Sequence, residues 1–203
     1  MADLSLEFRG IDVDDMPLES TQRVLELYCK QAIRMMQEYL DAEDKNASGN
    51  LRESMEWSII KTSEQLIVAS IDFPEAPYWA YVEHGVGGAQ STAKAPDSPF
   101  RFGSKKVKYP KGTMRKAIRT WIGHRRFQWR DAKGRFLSYD AMAPVITRSV
   151  YLTGISPTPF ASTSMKTLWE RMKTQVEFAF ADDLDRWMDE SDFAEEITIT
   201  ISV

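Results

Sequence analysis

The chain has 203 residues, 43% hydrophobic and 28% charged, with a formal net charge of −4. That supplies a real core for one large domain, or one domain with an insertion, and excludes a disordered composition. A single cysteine, Cys29, excludes an intramolecular disulfide; no run reaches the roughly 18 apolar residues of a membrane span, and no charged-then-apolar leader predicts a signal peptide.

Residues 1–16 alternate apolar and polar at Leu4, Leu6, Phe8, Ile11 and Val13, which predicts a strand or extended arm. Pro17 and Ser20 mark a helix start, and Val24, Leu25, Tyr28, Ala32, Met35, Met36 and Tyr39 then fall at steps of three and four. This spacing predicts an amphipathic helix over about 20–42, with Cys29 packed as a small hydrophobe. Polar residues follow to Asn50, with Gly49 as the turn. Two β-like runs, Glu56–Thr62 and Gln65–Asp72, are joined by a short polar link and predict a hairpin.

Tyr78–His84 reads as a short helix stopped by Gly85, and 85–112, with five Gly and three Pro, as a long loop. Thr113–Ile122 predicts a helix capped by Thr113 and ended by Gly123. Arg125–Tyr139 predicts a hairpin turning at Lys133-Gly134, and Ala141–Leu152 a further helix. Gly154, with Ile155 as apolar contact and Pro157 beyond, is the stop for that helix. A long helix is expected over about 162–189, and the alternating Ile197, Ile199 and Ile201 of Glu195–Val203 predict a terminal strand.

The charge is unevenly spread. Arg101–Arg135 carries a formal +12, and the rest of the chain −16. Lys105, Lys106, Lys108, Lys111, Arg115, Arg125, Arg126 and Arg130 are interleaved there with Phe102, Tyr109, Trp121, Phe127 and Trp129. Such a segment suits an acidic partner, whether nucleic acid, an acidic protein face or a neighbouring copy, and a solvated salt-bridging surface is the plain alternative.

Catalytic patterns are missing from the sequence. His84 and His124 belong to no metal-binding pair, and Glu83-His84 points its two side chains in different directions on a helix. Gly85-Val86-Gly87-Gly88 lacks the Lys-Ser/Thr of a phosphate-binding loop, and no G-x-S-x-G elbow is present. The carboxylate pairs Asp182-Asp183 and Glu195-Glu196 read as solvated faces, and no catalytic residue, metal or cofactor is expected.

Ser48-Gly49-Asn50-Leu51-Arg52-Glu53-Ser54 gives a small-Gly-x-Leu-Arg-x-Ser element between a first helix and a hairpin. Tyr78-Trp79-Ala80-Tyr81-Val82-Glu83-His84-Gly85 gives a Tyr-Ala-x-x-Val-Glu-x-Gly element. Ala143–Ser149, Gly154-Ile155 and Pro157-Thr158-Pro159-Phe160 give a helix, its stop, and the entry to a last helix. In this order the three elements resemble the tail-component family of lambdoid and related long-tailed bacteriophages. The chain departs from that pattern at Thr147, where alanine is usual, and at Ala161-Ser162, where bulkier residues are usual.

The resemblance implies an architectural role for Gly49, Leu51, Arg52, Ser54, Tyr78, Glu83, Gly85, Gly154, Pro159 and Phe160. Glu83 has three alternatives: capping backbone amides, pairing with Arg52, or facing solvent. The expected fold is α+β, a single domain in which a small, mostly antiparallel sheet is packed by two long helices. It would carry terminal strands and a basic helix–hairpin insertion at about 89–140. The implied function is structural: a neck or tail-completion ring joining the filled head to the tail tube, in a virion assembled in the bacterial cytoplasm. Its partners would be copies of itself, the portal- or adaptor-side connector, the terminator or tail-tube proteins, and DNA in the channel, with no membrane. Two alternatives stay open: a tail-terminator or head-closure ring, and a nucleic-acid-binding module using 101–135. Ile197, Ile199 and Ile201, or the 1–13 arm, are candidates for completing a neighbour's sheet.

Overall fold

The computed structural model describes residues 17–45, 48–62, 66–103, 112–126 and 128–190. The predicted arm at 1–13 and the terminal strand with Ile197, Ile199 and Ile201 lie outside the described residues, as do Lys105, Lys106, Lys108 and Lys111.

The four-residue apolar steps of the first helix become one buried stripe. Helix α1 spans Glu19–Ala42, and Tyr28, Ala32, Met36 and Leu40 are all buried along it. Cys29 is buried beside them, and burial, aided by nearby Glu26, pushes its thiol above the ordinary range, so it stays protonated and inert. Gly49, at φ 82°, is the expected turn and leads into a short helix α2, Asn50–Glu53, that the sequence reading did not assign. Strands β1 (Glu56–Thr62) and β2 (Leu66–Asp72) form the expected antiparallel hairpin.

Helix α3, Trp79–His84, ends at Gly85 with φ 67°, as predicted. The loop predicted over 85–112 is corrected at its start. Val86–Gly87 is a buried strand, β3, paired antiparallel with β4, Gly154–Ile155, in the register Val86↔Ile155 and Gly87↔Gly154. Glycine density marked close backbone approach here, not slack.

Helix α4 runs Thr113–Arg125, past the expected stop. Gly123 keeps the helical backbone and carries no positive φ, and a Cβ there would meet nothing among the described residues within 4 Å. The helix ends instead at Arg126, whose φ of 54° is left-handed and whose N–H donates to the Ile122 carbonyl. Gly112, not Thr113, occupies the N-cap position. The predicted 125–139 hairpin contracts to one antiparallel bridge, Arg130↔Phe136, around Gly134 at φ 77°. The Asp131 carboxylate accepts from the Lys133 and Arg135 N–H groups and braces that turn. These backbone bonds, the Arg135 amide foremost, hold its carboxyl below the usual range.

Helix α5, Tyr139–Thr153, is capped by Ser138, whose hydroxyl accepts from the Ala141 N–H. Gly154, at φ 87°, closes it. Ile155 does not act as the expected apolar contact: it belongs to β4 and is 42% exposed. Helix α6 spans Phe160–Glu190.

The described residues divide into two compact units. One takes those up to Gln31, Trp57–Ile71 and those from Thr167 onward; the other takes Ala32–Glu56 and Asp72–Lys166. The stretch expected as an insertion at 89–140 lies inside the second unit. In the first unit, the Lys30 ammonium sits 5.0 Å from the Trp57 ring centre, which places one hairpin face toward α1. In the second, Ile122, Met142 and Ala143 make a core packed by Ile118, Leu137, Tyr139 and Ile146. The fold is α+β, with six helices and little sheet among the described residues.

Candidate interaction surfaces

Glu83 is a charged residue at 3% exposure, and its position explains why that is tolerated. It accepts from the N–H groups of Ala161 (2.9 Å) and Ser162 (3.0 Å), and from the Ser162 hydroxyl (2.5 Å). These amides belong to the second and third residues of α6, which have no partner inside their own helix. The carboxylate therefore caps α6 from 78 residues away and meets the positive end of its dipole. Of the three alternatives, amide capping is the one realised. Arg52 pairs with Asp41 at 3.2 Å instead.

Gly85, Gly154 and Phe160 are each closely packed. A Cβ on Gly85 would lie 2.6 Å from the Ile155 carbonyl oxygen, and one on Gly154 would lie 2.4 Å from that of Val86. The 98–102 segment covers the other edge of β3: Gly87 donates to Phe100, Phe102 donates to Gly87, and the Ser98 hydroxyl donates to the Gly85 carbonyl. Phe160 is fully buried, edge-on to Phe73, which stacks on Trp79. Pro159 is half-buried before it, and Tyr78 stays exposed at the start of α3. Leu51 is buried, and the Ser54 hydroxyl donates to its carbonyl at 3.3 Å.

A second buried carboxylate corrects the sequence reading that set the Asp182-Asp183 pair on a solvated face: Asp182 is exposed, but Asp183 is buried, and Glu195-Glu196 lies outside the described residues. Asp183 accepts from the Ser20 and Thr21 N–H groups, both at 2.8 Å, and caps α1 as Glu83 caps α6. Burial pushes its pKa up, but these hydrogen bonds outweigh burial and leave the net value below the usual carboxylate range. A carboxyl with a lowered folded pKa stabilises the fold above its unfolded value of about 3.9 and loses that contribution as pH falls through the folded value. Asp183→Asn should therefore lower the urea midpoint at pH 7 and flatten its fall below about pH 4. An unchanged acid limb in the variant would remove Asp183 from the account.

The cations fall into two groups. Arg119 is held by Asp140, Arg135 by Asp131 and Arg125 by Asp44. The Arg119 hydrogen bond keeps the Asp140 carboxyl below its usual range. Arg130 lies 4.4 Å from the centre of the Phe136 ring. Arg115, Lys116, Arg126 and Lys133 are exposed and form no ion pair among the described residues. Trp129 and Phe136 are exposed in the same stretch.

Apolar side chains are exposed in the first unit. Ser58 and Ser70 share a 2.8 Å hydroxyl hydrogen bond across the hairpin, which sets Ile60 opposite Val68 on the same face. That face is open, with Ile60 at 56% and Val68 at 40% exposure. On α6, Leu168, Ala179 and Asp183 mark the buried side, and Phe178 points outward at 72% exposure.

No helix among the described residues is long and apolar enough to cross a membrane, and none of their His, Cys, Asp and Glu side chains form a group able to hold a metal ion. No family model, curated protein or solved structure matches the chain.

Proposed function

We propose that this chain is a structural component of the head–tail joint of a long-tailed bacteriophage, a neck or tail-completion ring subunit working through contacts with its own copies and with the connector and tail-tube proteins. One observation carries the reading. The second and third motifs resembling that family are far apart in sequence yet engage as one unit, with Glu83 capping the helix opened by Pro159-Phe160 and Gly85 lying against Ile155. Residues that match a family pattern and also interlock are what a shared scaffold predicts. The cations free of ion pairs and the outward Phe178 supply surfaces for assembly. The chemistry is binding, with no cofactor.

The test is genetic and visual. Particles produced without this chain should accumulate as filled heads beside separate tails, and labelled antibody should decorate the joint of complete particles. Complete, infectious particles lacking the chain would overturn the proposal. Labelling at the tail-tube end or directly beneath the portal would instead favour the terminator or head-closure ring.

A nucleic-acid-binding reading is favoured by exposed Arg115, Lys116, Arg126 and Lys133 sharing one stretch of sequence with exposed Trp129 and Phe136. If these cations contact duplex phosphates, the binding constant should fall with salt at a log–log slope of about −0.9 per contact, and reversing Arg115, Lys116 and Arg126 should flatten that slope. A salt-independent constant, or no binding at low salt, would end this reading.

A further inference from the structure

Gly123 poses a physical question inside α4. A helix-interior glycine costs about 1 kcal/mol relative to alanine. Here the backbone is ordinary helix, and an added Cβ would meet nothing among the described residues within 4 Å. Neither conformation nor internal packing calls for glycine. A close approach from another molecule would.

The helix surface around Gly123 is specific. Lys116, Thr120 and Gly123 stand at four- and three-residue steps and share its outward side, opposite Ile118 and Ile122. Gly123 leaves a notch, and Lys116 lies seven residues before it. On α6, Phe178, Ala181, Asp185 and Met188 follow three-four-three spacing on the side away from Leu168, Ala179 and Asp183. Phe178 is the most exposed large hydrophobic among the described residues, and Asp185 lies seven residues after it. Asp185 and Lys116 are both exposed and form no ion pair among the described residues.

We infer that the outward face of α6 in one copy docks antiparallel on the outward face of α4 in the next, with Phe178 in the Gly123 notch and Asp185 against Lys116. The two seven-residue separations each span about 10.5 Å, so both contacts form in one register. Asp189 extends the acidic end of this face toward Arg115 at the start of α4. The contact uses different surfaces on the two copies, so it is head-to-tail and propagates into a ring or filament. Nucleic acid would occupy the cations but leave Phe178 uncovered. A second copy covers both.

This inference deepens the assembly reading and rests on it, and it is tested on the purified full-length chain by sedimentation velocity over a concentration series at low salt. Wild type should self-associate. Lys116→Glu and Asp185→Lys should each require protein concentrations higher by roughly tenfold or more for assembly. An equimolar mixture of the two should recover assembly, because every junction is then Asp185–Lys116 or its reversed counterpart. Gly123→Leu should block association, while Gly123→Ala should raise the melting temperature, which separates the notch from fold stability. Wild type that stays monomeric, Gly123→Leu that assembles normally, or a mixture that stays dispersed would overturn the inference. So would normal duplex-DNA binding by Asp185→Lys with loss confined to Lys116→Glu and no change in assembly in either. Particle labelling reports on the virion role separately. A labelled joint with no charge-swap rescue sinks this contact alone, and rescue in a chain absent from particles sinks the virion role alone.

Discussion

Gly88→Ala is expected to prevent stable folding. Its new Cβ would lie 2.2 Å from the Leu152 carbonyl oxygen, 2.5 Å from the Thr153 carbonyl carbon and 2.6 Å from the Gly154 nitrogen. All three are backbone atoms of the α5 terminus, so no side chain can swing away. Relief would require β3 to move off β4, separating the Gly87–Gly154 pair and stripping the Ala89 and Gln90 amides of their carbonyl partners on Tyr151 and Leu152. Strain of this kind belongs to the tail of destabilising substitutions, a loss above about 4 kcal/mol. Soluble yield and the denaturation midpoint are the measurements. Gly103→Ala, with nothing among the described residues within 4 Å of its new Cβ, is the control and should stay within about 0.5 kcal/mol of wild type. A Gly88→Ala protein with the wild-type midpoint would mean that β3 and β4 are not this close.

The second large effect is expected at Glu83. Glu83→Ala leaves the Ala161 and Ser162 amides at the start of α6 without an acceptor. At roughly 1–3 kcal/mol for each unsatisfied buried donor, the loss is about 3 kcal/mol. For a chain of this size that lowers the melting temperature by roughly 6–12 °C. Glu83→Gln keeps one acceptor oxygen and should lose about half as much. A calorimetric scan of the three proteins decides it. If alanine and glutamine behave alike, the carboxylate is not acting through these amides.

What the sequence disclosed follows from range. The α1 stripe repeats every four residues, and the β1–β2 hairpin joins neighbouring runs, so both were legible. Gly85 and Gly154 were also read correctly as helix ends, because a glycine after an apolar helix is a local signal, but their ψ of −174° and −175° corrects the left-handed helical conformation expected at Gly154. The same logic misled at Gly123, where no local feature says whether a glycine ends a helix or sits within it. It misled again over 85–112, since glycine density reads as loop unless the strand it packs against, nearly 70 residues later, is known. The partners of Glu83 and Asp183 lie 78 and 162 residues away. No spacing rule reaches that far, so Glu83 kept three alternatives and Asp183 was misread as part of a solvated carboxylate pair.

Asp183 also bears on the order of events during synthesis. The beginning of α1 is among the first parts of the described chain to be made, and the carboxylate that completes it is added 162 residues later. At about 5–20 residues per second, the ribosome needs roughly 8–30 s to supply it. For that interval the first turn of α1 must rely on water, and only a polypeptide already extended through Asp183 can set it. Nascent chains halted before Asp183 should therefore show a frayed amino-terminal helix by amide hydrogen exchange, and chains released after it a protected one.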